Sequence, residues 1–255
     1  MARAEHTRKV EALVLRHSDW GEADRMLVIF SPHQGKTRVV AKGVRRLRSR
    51  KAGHLEPFTR VSLLLARGRD LWIVTQAETI EAFMPLRENL VLTSQAAYVV
   101  ELLDRFTYDE SPNPTLYRLV CETLARLSTG EDPFTVLRYY DIRLLDQLGF
   151  RPQLFECVRC GQEIKALDQY FSAQEGGVIC PTCGLHQPGL KPVSMPALKY
   201  MRHFQRSSYA DACRADVPPV ARVEMDALLN HYLTYQLERG LNTPKFLKDV
   251  QPDGE

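Results

Sequence analysis

The chain has 255 residues, 44% hydrophobic and 25% charged, which is ordinary for a globular protein able to bury one large core or two to three small ones. No apolar run approaches the roughly eighteen residues of a membrane span. The N-terminus MARAEHTRKV carries charge without an apolar segment, so the expected location is cytoplasmic rather than secreted. The net charge of +3 is uneven: residues 1–82 hold 16 Lys and Arg against 9 Asp and Glu, and residues 83–255 hold 18 against 22. A basic first third on a mildly acidic remainder suggests that a polyanion meets the N-terminal part, nucleic acid being the commonest.

The first eighty residues read as strands. Segments near 9–16, 24–30, 37–42, 58–66 and 71–83 are rich in Val, Ile, Leu, Phe and Trp, and SPHQGK at 31–36 and ARGRD at 66–70 suit tight reversals. Five short strands with hairpin-like links favour a small closed barrel, because closure removes exposed edges. The run KGVRRLRSRK at 42–51 places Lys42, Arg45, Arg46, Arg48, Arg50 and Lys51 in the connection between the third and fourth strands.

From about residue 85 the period becomes helical. Tyr98, Val99, Leu102, Leu103 and Phe106 share a stripe, and SPNP at 111–114 ends it. A second helix runs to about Leu127. A third opens with Asp132 as cap and Pro133 in the first turn and ends at Gly149, burying Leu137, Tyr140, Leu144, Leu145 and Leu148. Helical patterns resume at about 194–206 and 219–238. The expected fold class is α+β multidomain. A five-stranded barrel spans 1–82, a helical domain takes 83–149 with 190–250, and a loop-rich insert occupies 150–189.

That insert holds Cys157-Val158-Arg159-Cys160 and Cys180-Pro181-Thr182-Cys183, two C-x2-C knuckles nineteen residues apart. Two thiolate pairs at this spacing complete a tetrahedral shell, with Zn–S about 2.3 Å, and leave no position open for water. The expectation is one structural zinc. Disulfides fit a reducing compartment poorly, and a redox pair has no need of duplication. Gly161 and Gly184 follow the second Cys of each pair, where unusual backbone angles are expected.

Catalytic signals are weak. Gly35-Lys36-Thr37 has the end of a phosphate-binding loop, but Phe30 stands where its first glycine belongs. His54-Leu55-Glu56 with a later C-x-x-C lacks the spacing of a zinc deaminase. No nucleophile, base and oxyanion site assembles, so a binding protein rather than an enzyme is expected.

Specific stretches then resemble the RecO family of bacterial recombination-repair proteins: KGVRR with HLEPF at 54–58, YYDIRLLDQLGFRPQLFECVRCG, and YFSAQEGGVICPTCG. The resemblance covers nearly the whole chain. It implies an OB-fold barrel, a helical domain and an inserted zinc ribbon in a protein that mediates recombination. It further implies binding of single- and double-stranded DNA, annealing of strands coated with single-stranded-DNA-binding protein (SSB), and loading of RecA together with RecR. It also implies a pocket for the acidic, Phe-ended SSB tail, for which Arg138, Arg143, Arg202 and Arg206 are candidate rim residues.

The residues support a DNA role on their own. OB barrels hold single strands with cations and stacking aromatics. Lys36, Arg38 and Lys42 lie on or beside the third strand, and Arg45, Arg46, Arg48, Arg50 and Lys51 extend the charge into the loop, which is expected to order when DNA arrives. Arginine forks suit phosphate oxygens, so these residues are expected to grip backbone without reading sequence. Six engaged charges predict a slope of about −4 for log K against log[salt] on single strands. Trp20, Phe30 and Trp72 fit a core better than a stacking platform. The competing reading is a zinc-ribbon factor that binds RNA or the ribosome.

Overall fold

The computed structural model describes residues 7–237. They divide into two compact units, the first ending at Gly130 and the second beginning at Glu131.

In the first unit, β1 (Thr7–Trp20), β2 (Asp24–Ser31), β3 (Gly35–Ala41), β4 (Arg60–Arg67) and β5 (Trp72–Glu81) close into a barrel in the order β1-β2-β3-β5-β4. All pairs are antiparallel except β3 with β5, which run parallel through Val39↔Trp72 and Val40↔Ile73. Side chains alternate between faces of a strand, and the inward set fills the barrel: Val10, Ala12 and Val14 from β1, Leu27 and Ile29 from β2, Val39 and Ala41 from β3, Val61, Leu63 and Leu65 from β4, and Val74 from β5. Val44 and Leu55 join this core from the long β3–β4 connection, which also carries a short 3-10 turn at Ala52–His54. The expected five-stranded barrel is therefore present.

The same unit adds α1 (Pro85–Glu88), α2 (Leu90–Phe106) and α3 (Pro114–Ser128). Asn89 caps α2 by accepting from Val91 and Leu92 N–H, and Asn113 caps α3 by accepting from Leu116 N–H, with Pro114 in the first turn. The α2–α3 connection lies against the start of β3. A Cβ on Gly35 would sit 2.2 Å from the Ser111 carbonyl oxygen, and Glu110 N–H donates to the Lys36 carbonyl at 2.8 Å. Gly35, at φ +66°, is one position where only glycine fits.

The second unit opens with α4 (Pro133–Gln147), capped as the sequence indicates. Asp132 Oδ2 accepts from Thr135 N–H at 3.2 Å, and Gly149 ends the helix at φ +82° while Phe150 N–H donates to Leu145 O. A small sheet follows, formed by β6 (Gln169–Ser172), β7 (Gly177–Ile179) and β8 (Lys191–Val193) in the order β7-β6-β8. Between β7 and β8 lies the single turn α5 (Pro181–Gly184), and after them α6 (Met195–Arg206), α7 (Tyr209–Cys213) and α8 (Pro219–Gln236).

The unit boundary at 130/131 thus cuts the stretch expected as one helical domain. α1–α3 pack with the barrel, and α4, α6, α7 and α8 pack with the ribbon. β8 joins the ribbon sheet from beyond the expected limit at 189. Part of the expected helical domain, 238–250, lies outside the described residues.

Candidate nucleic-acid interface and metal centre

Strand alternation puts Lys36 and Arg38 on the outer face of β3, with Lys42 one residue past its end. The structure separates these cations by what else they touch. Lys36 Nζ donates to the carbonyls of Asp104 at 2.6 Å and Thr107 at 2.7 Å and pairs with the Asp104 carboxylate at 3.1 Å. Lys51 Nζ donates to Val74 O at 2.8 Å and Lys42 O at 3.2 Å, and burial lowers its pKa despite the nearby Asp24. Both lysines are committed inside the first unit. Arg45 pairs with Asp19 at 3.1 Å, and the exposed Arg38 has only a distant Asp109 at 3.9 Å. Lys42, Arg46, Arg48 and Arg50 are exposed and have no ion pair among the described residues.

The loop that carries them is hydrogen-bonded throughout. Gly43 N–H donates to Asp24 Oδ1 at 2.7 Å, Arg45 N–H to Ala23 O at 3.0 Å, Arg46 N–H to Gly43 O at 3.2 Å and Ser49 N–H to Arg46 O at 2.9 Å. Val44, 1% exposed, plugs into the barrel core. The expectation that this loop orders only on DNA is corrected: its turns are already formed.

At the other end of β3 a cavity of about 700 Å³ opens. Arg8, Lys36, Arg38, Arg67 and Arg69 line it with Trp72, and Asp70, Asp109 and Glu110 supply its acids. The Arg8 guanidinium lies 3.9 Å from the Trp72 ring centroid, and Thr37 Oγ1 is buried at this cavity without a hydrogen-bond partner. Sequence reading missed Arg8, Arg67 and Arg69. ARGRD was legible only as a turn, and the strand pairing Arg8↔Leu65 is what brings Arg8 to it. Of the aromatics, Phe30 is fully buried, Trp72 is half-buried beneath Arg8, and Trp20 is 53% exposed at the β1–β2 turn. The core expectation therefore fails for Trp20.

In the second unit, the Sγ atoms of Cys157, Cys160, Cys180 and Cys183 all lie within 4.8 Å of one another, with Cys160 to Cys180 at 3.9 Å. A tetrahedral Zn–S shell of about 2.3 Å needs S···S separations near ~3.8 Å, so the quartet fits a metal ion. Burial opposes ionisation of Cys157, but N–H groups of Cys180, Cys160 and Arg159 outweigh it and lower the thiol to about 6. Hydrogen bonding to Cys180 and Cys160 pushes Cys183 up to about 12. The N–H···S contacts at Cys157 stabilise negative sulfur, which is what a metal-binding thiolate requires. Gly161 has the expected left-handed φ of +73° and closes its knuckle onto Cys157 O at 2.8 Å. Gly184 does not need that freedom; a Cβ there would meet Tyr170 Cδ2 at 2.4 Å. Its role is close packing.

A groove of about 1060 Å³ lies on the same unit between the ribbon and α6. The Arg206 guanidinium lies 3.5 Å and that of Arg202 5.1 Å from the Phe155 ring centroid, with Met195 and Leu198 extending the apolar wall. Burial and then the Arg206 charge lower the pKa of Arg202, against the opposing charge of Glu163, which lines the groove with Asp211 and Asp216. The other two rim candidates are used elsewhere. Arg138 is buried against Asp141 at 3.1 Å and Asp226 at 2.8 Å, and Arg143 donates to Gln205 O and Ser207 O.

Residues 4–83 match the family model for the recombination protein O N terminal region, and residues 87–245 match that for its C terminal region. The chain belongs to the RecO family. It is 41% identical over 244 residues to the DNA repair protein RecO of Roseiflexus sp. (strain RS-1), spanning 95% of this chain and 86% of the relative. It is 35% identical to the DNA repair protein RecO of Dehalococcoides mccartyi (strain CBDB1), spanning 92% of each. It is also 32% identical to that of Bacillus pumilus (strain SAFR-032), spanning 95% and 94%. RecO relatives are DNA repair proteins by name, and this chain is a member of that repair family. No helix among the described residues is long and apolar enough to cross a membrane.

Proposed function

We propose that the chain is a non-catalytic recombination mediator. It binds single- and double-stranded DNA through the barrel, anneals complementary strands coated with SSB, and with RecR helps load RecA in the cytoplasm at the nucleoid. The observation that carries this reading is the set Lys42, Arg46, Arg48 and Arg50, exposed and without acid partners among the described residues, leading along β3 through Arg38 to the Arg8, Arg67 and Arg69 cavity. At about 3.3 Å per residue, Arg38 and Lys42 are ~13 Å apart along the strand, so the two ends form one cationic path for a phosphate backbone.

The SSB tail docks in the Phe155 groove, where an acidic carboxylate meets Arg202 and Arg206 and a terminal Phe meets the apolar wall. The four cysteines hold a structural zinc, supported by their separations and donor type. In this reading the 1–82 barrel binds DNA and the 150–189 ribbon holds the metal, while the helices between and after them divide between the two compact units.

Annealing of complementary strands precoated with SSB, without ATP, tests the proposal. Acceleration by the purified protein is the expected result. No acceleration, together with tight binding to structured RNA, favours the alternative, a zinc-ribbon RNA- or ribosome-binding factor.

A further inference from the structure

Leu47 stands at the middle of KGVRRLRSRK and is the most exposed large hydrophobic among the described residues, at 105% against 84% for Tyr108. Single exposed apolar side chains are common on protein surfaces, so exposure alone carries nothing. Three further observations give this one a use. First, the loop is held rigid at both of its feet: Val44 is buried in the barrel core, Gly43 N–H is tied to Asp24 Oδ1 at 2.7 Å, and Lys51 Nζ is tied to Val74 O at 2.8 Å. The backbone of the turn is therefore tied at its feet, which leaves less chain to order when a ligand arrives. Second, its neighbours Arg46 and Arg48 are exposed without ion pairs among the described residues. An apolar tip between free cations suits a ligand with phosphates around an apolar face. Third, Arg45 N–H bonds to Ala23 O at 3.0 Å and Arg45 pairs with Asp19 at 3.1 Å, which seats the loop on the β1–β2 turn where Trp20 is exposed.

We propose that Leu47 is a wedge that enters between nucleobases and unstacks them while Arg46, Arg48 and Arg50 hold the flanking phosphates. This rests on the DNA-binding reading above and deepens it by giving the loop a contact with bases as well as backbone. Apolar side chains inserted at a base step partly unstack it, and a base lifted from its neighbours is free to meet a complementary strand.

The test is 2-aminopurine emission from a labelled single-stranded oligonucleotide at saturating protein, with affinity measured separately by anisotropy. Wild-type protein raises the emission as the labelled base leaves its stack. Leu47→Ala binds within about threefold of wild type but loses half or more of that rise, because cations supply the affinity and the wedge supplies the unstacking. Because the Leu47 side chain is fully exposed among the described residues, the variant is expected to fold as wild type does. An emission rise identical in Leu47→Ala and wild type, with DNA binding intact, overturns the wedge and leaves the DNA reading standing. Absence of DNA binding by wild-type protein at low salt overturns both. Leu47-dependent binding to phosphatidylglycerol vesicles, with no Leu47-dependent change on DNA, reassigns the tip to a lipid surface and also overturns the wedge.

Discussion

Lys36 Nζ sits 2.6 Å from the carbonyl oxygen of Asp104 and 3.1 Å from its carboxylate, so a lysine on the face of β3 is spent on the end of α2. Charge and position alone mark it as a phosphate ligand; the contact makes it a structural clasp. Lys36→Met leaves a charged acceptor and two carbonyls short of a donor. The expected loss is roughly 2–3 kcal/mol of stability, read by urea unfolding, while DNA affinity of the folded protein changes little. A large affinity loss at unchanged stability would reverse this assignment.

The same contact gives a pH signature. Burial opposes ionisation of Asp104, yet hydrogen bonds from Arg16 and Lys36 outweigh it and hold the carboxyl below its ordinary 3.8. A depressed folded pKa contributes stability that is present above the unfolded value and is lost as pH falls through the folded one. The stability gap between wild type and Lys36→Met is therefore expected to be full at pH 6 and to shrink below about pH 4. A gap that stays constant down to pH 2.5 would exclude Asp104 as the partner that matters.

For the loop, replacing Arg46, Arg48 and Arg50 together with Ala removes three cations that have no ion pair among the described residues. Single-stranded DNA binding then flattens by about 2 units in the slope of log K against log[salt], at ~0.7 per phosphate contact. Arg45, already paired with Asp19, contributes less when replaced alone. An unchanged slope in the triple variant would leave the loop a solvated feature.

Elemental analysis of the purified chain is expected to give about one zinc per chain. Cys160→Ser or strong chelation removes it. Metal binding supplies folding energy on the order of 10 kcal/mol in small zinc modules, so amide exchange at the Phe171↔Val178 pair of β6 and β7 rises sharply on metal loss. Unaltered protection there after complete removal would show that the ribbon does not depend on its metal.

In the Phe155 groove, Arg206→Ala and Phe155→Ala are each expected to weaken an acidic, Phe-ended peptide at least about tenfold, since both groups would sit at the centre of the proposed contact. Arg143→Ala, whose guanidinium serves the Gln205 and Ser207 carbonyls, is expected to cost stability with less effect on the peptide. The opposite ranking, by calorimetry, would move the site.

Local chemistry was readable in advance. Asp132, Pro133 and Gly149 bound α4 because capping and termination depend on neighbours within a few residues. The four cysteines come together because each pair is set by one tight turn. Trp20 and Gly184 show the limit. Strand residues rich in apolar neighbours look alike whether they end inside or outside the barrel, and the demand on Gly184 comes from Tyr170, fourteen positions away.

The sequence by itself determined the five strands, the limits of α4, the thiolate quartet and the basic stretch, all of which follow from spacing along the chain. Only the tertiary structure decided which cations remain free. Lys36 and Lys51 find carbonyls and carboxylates contributed by distant segments, whereas Lys42, Arg46, Arg48 and Arg50 find no acid among the described residues. The same folding brought Arg8 to Trp72 and Arg206 to Phe155. A charge in a sequence has a sign and a position; its partner depends on long-range strand pairing and helix packing, and the partner decides whether it holds the fold together or faces a ligand.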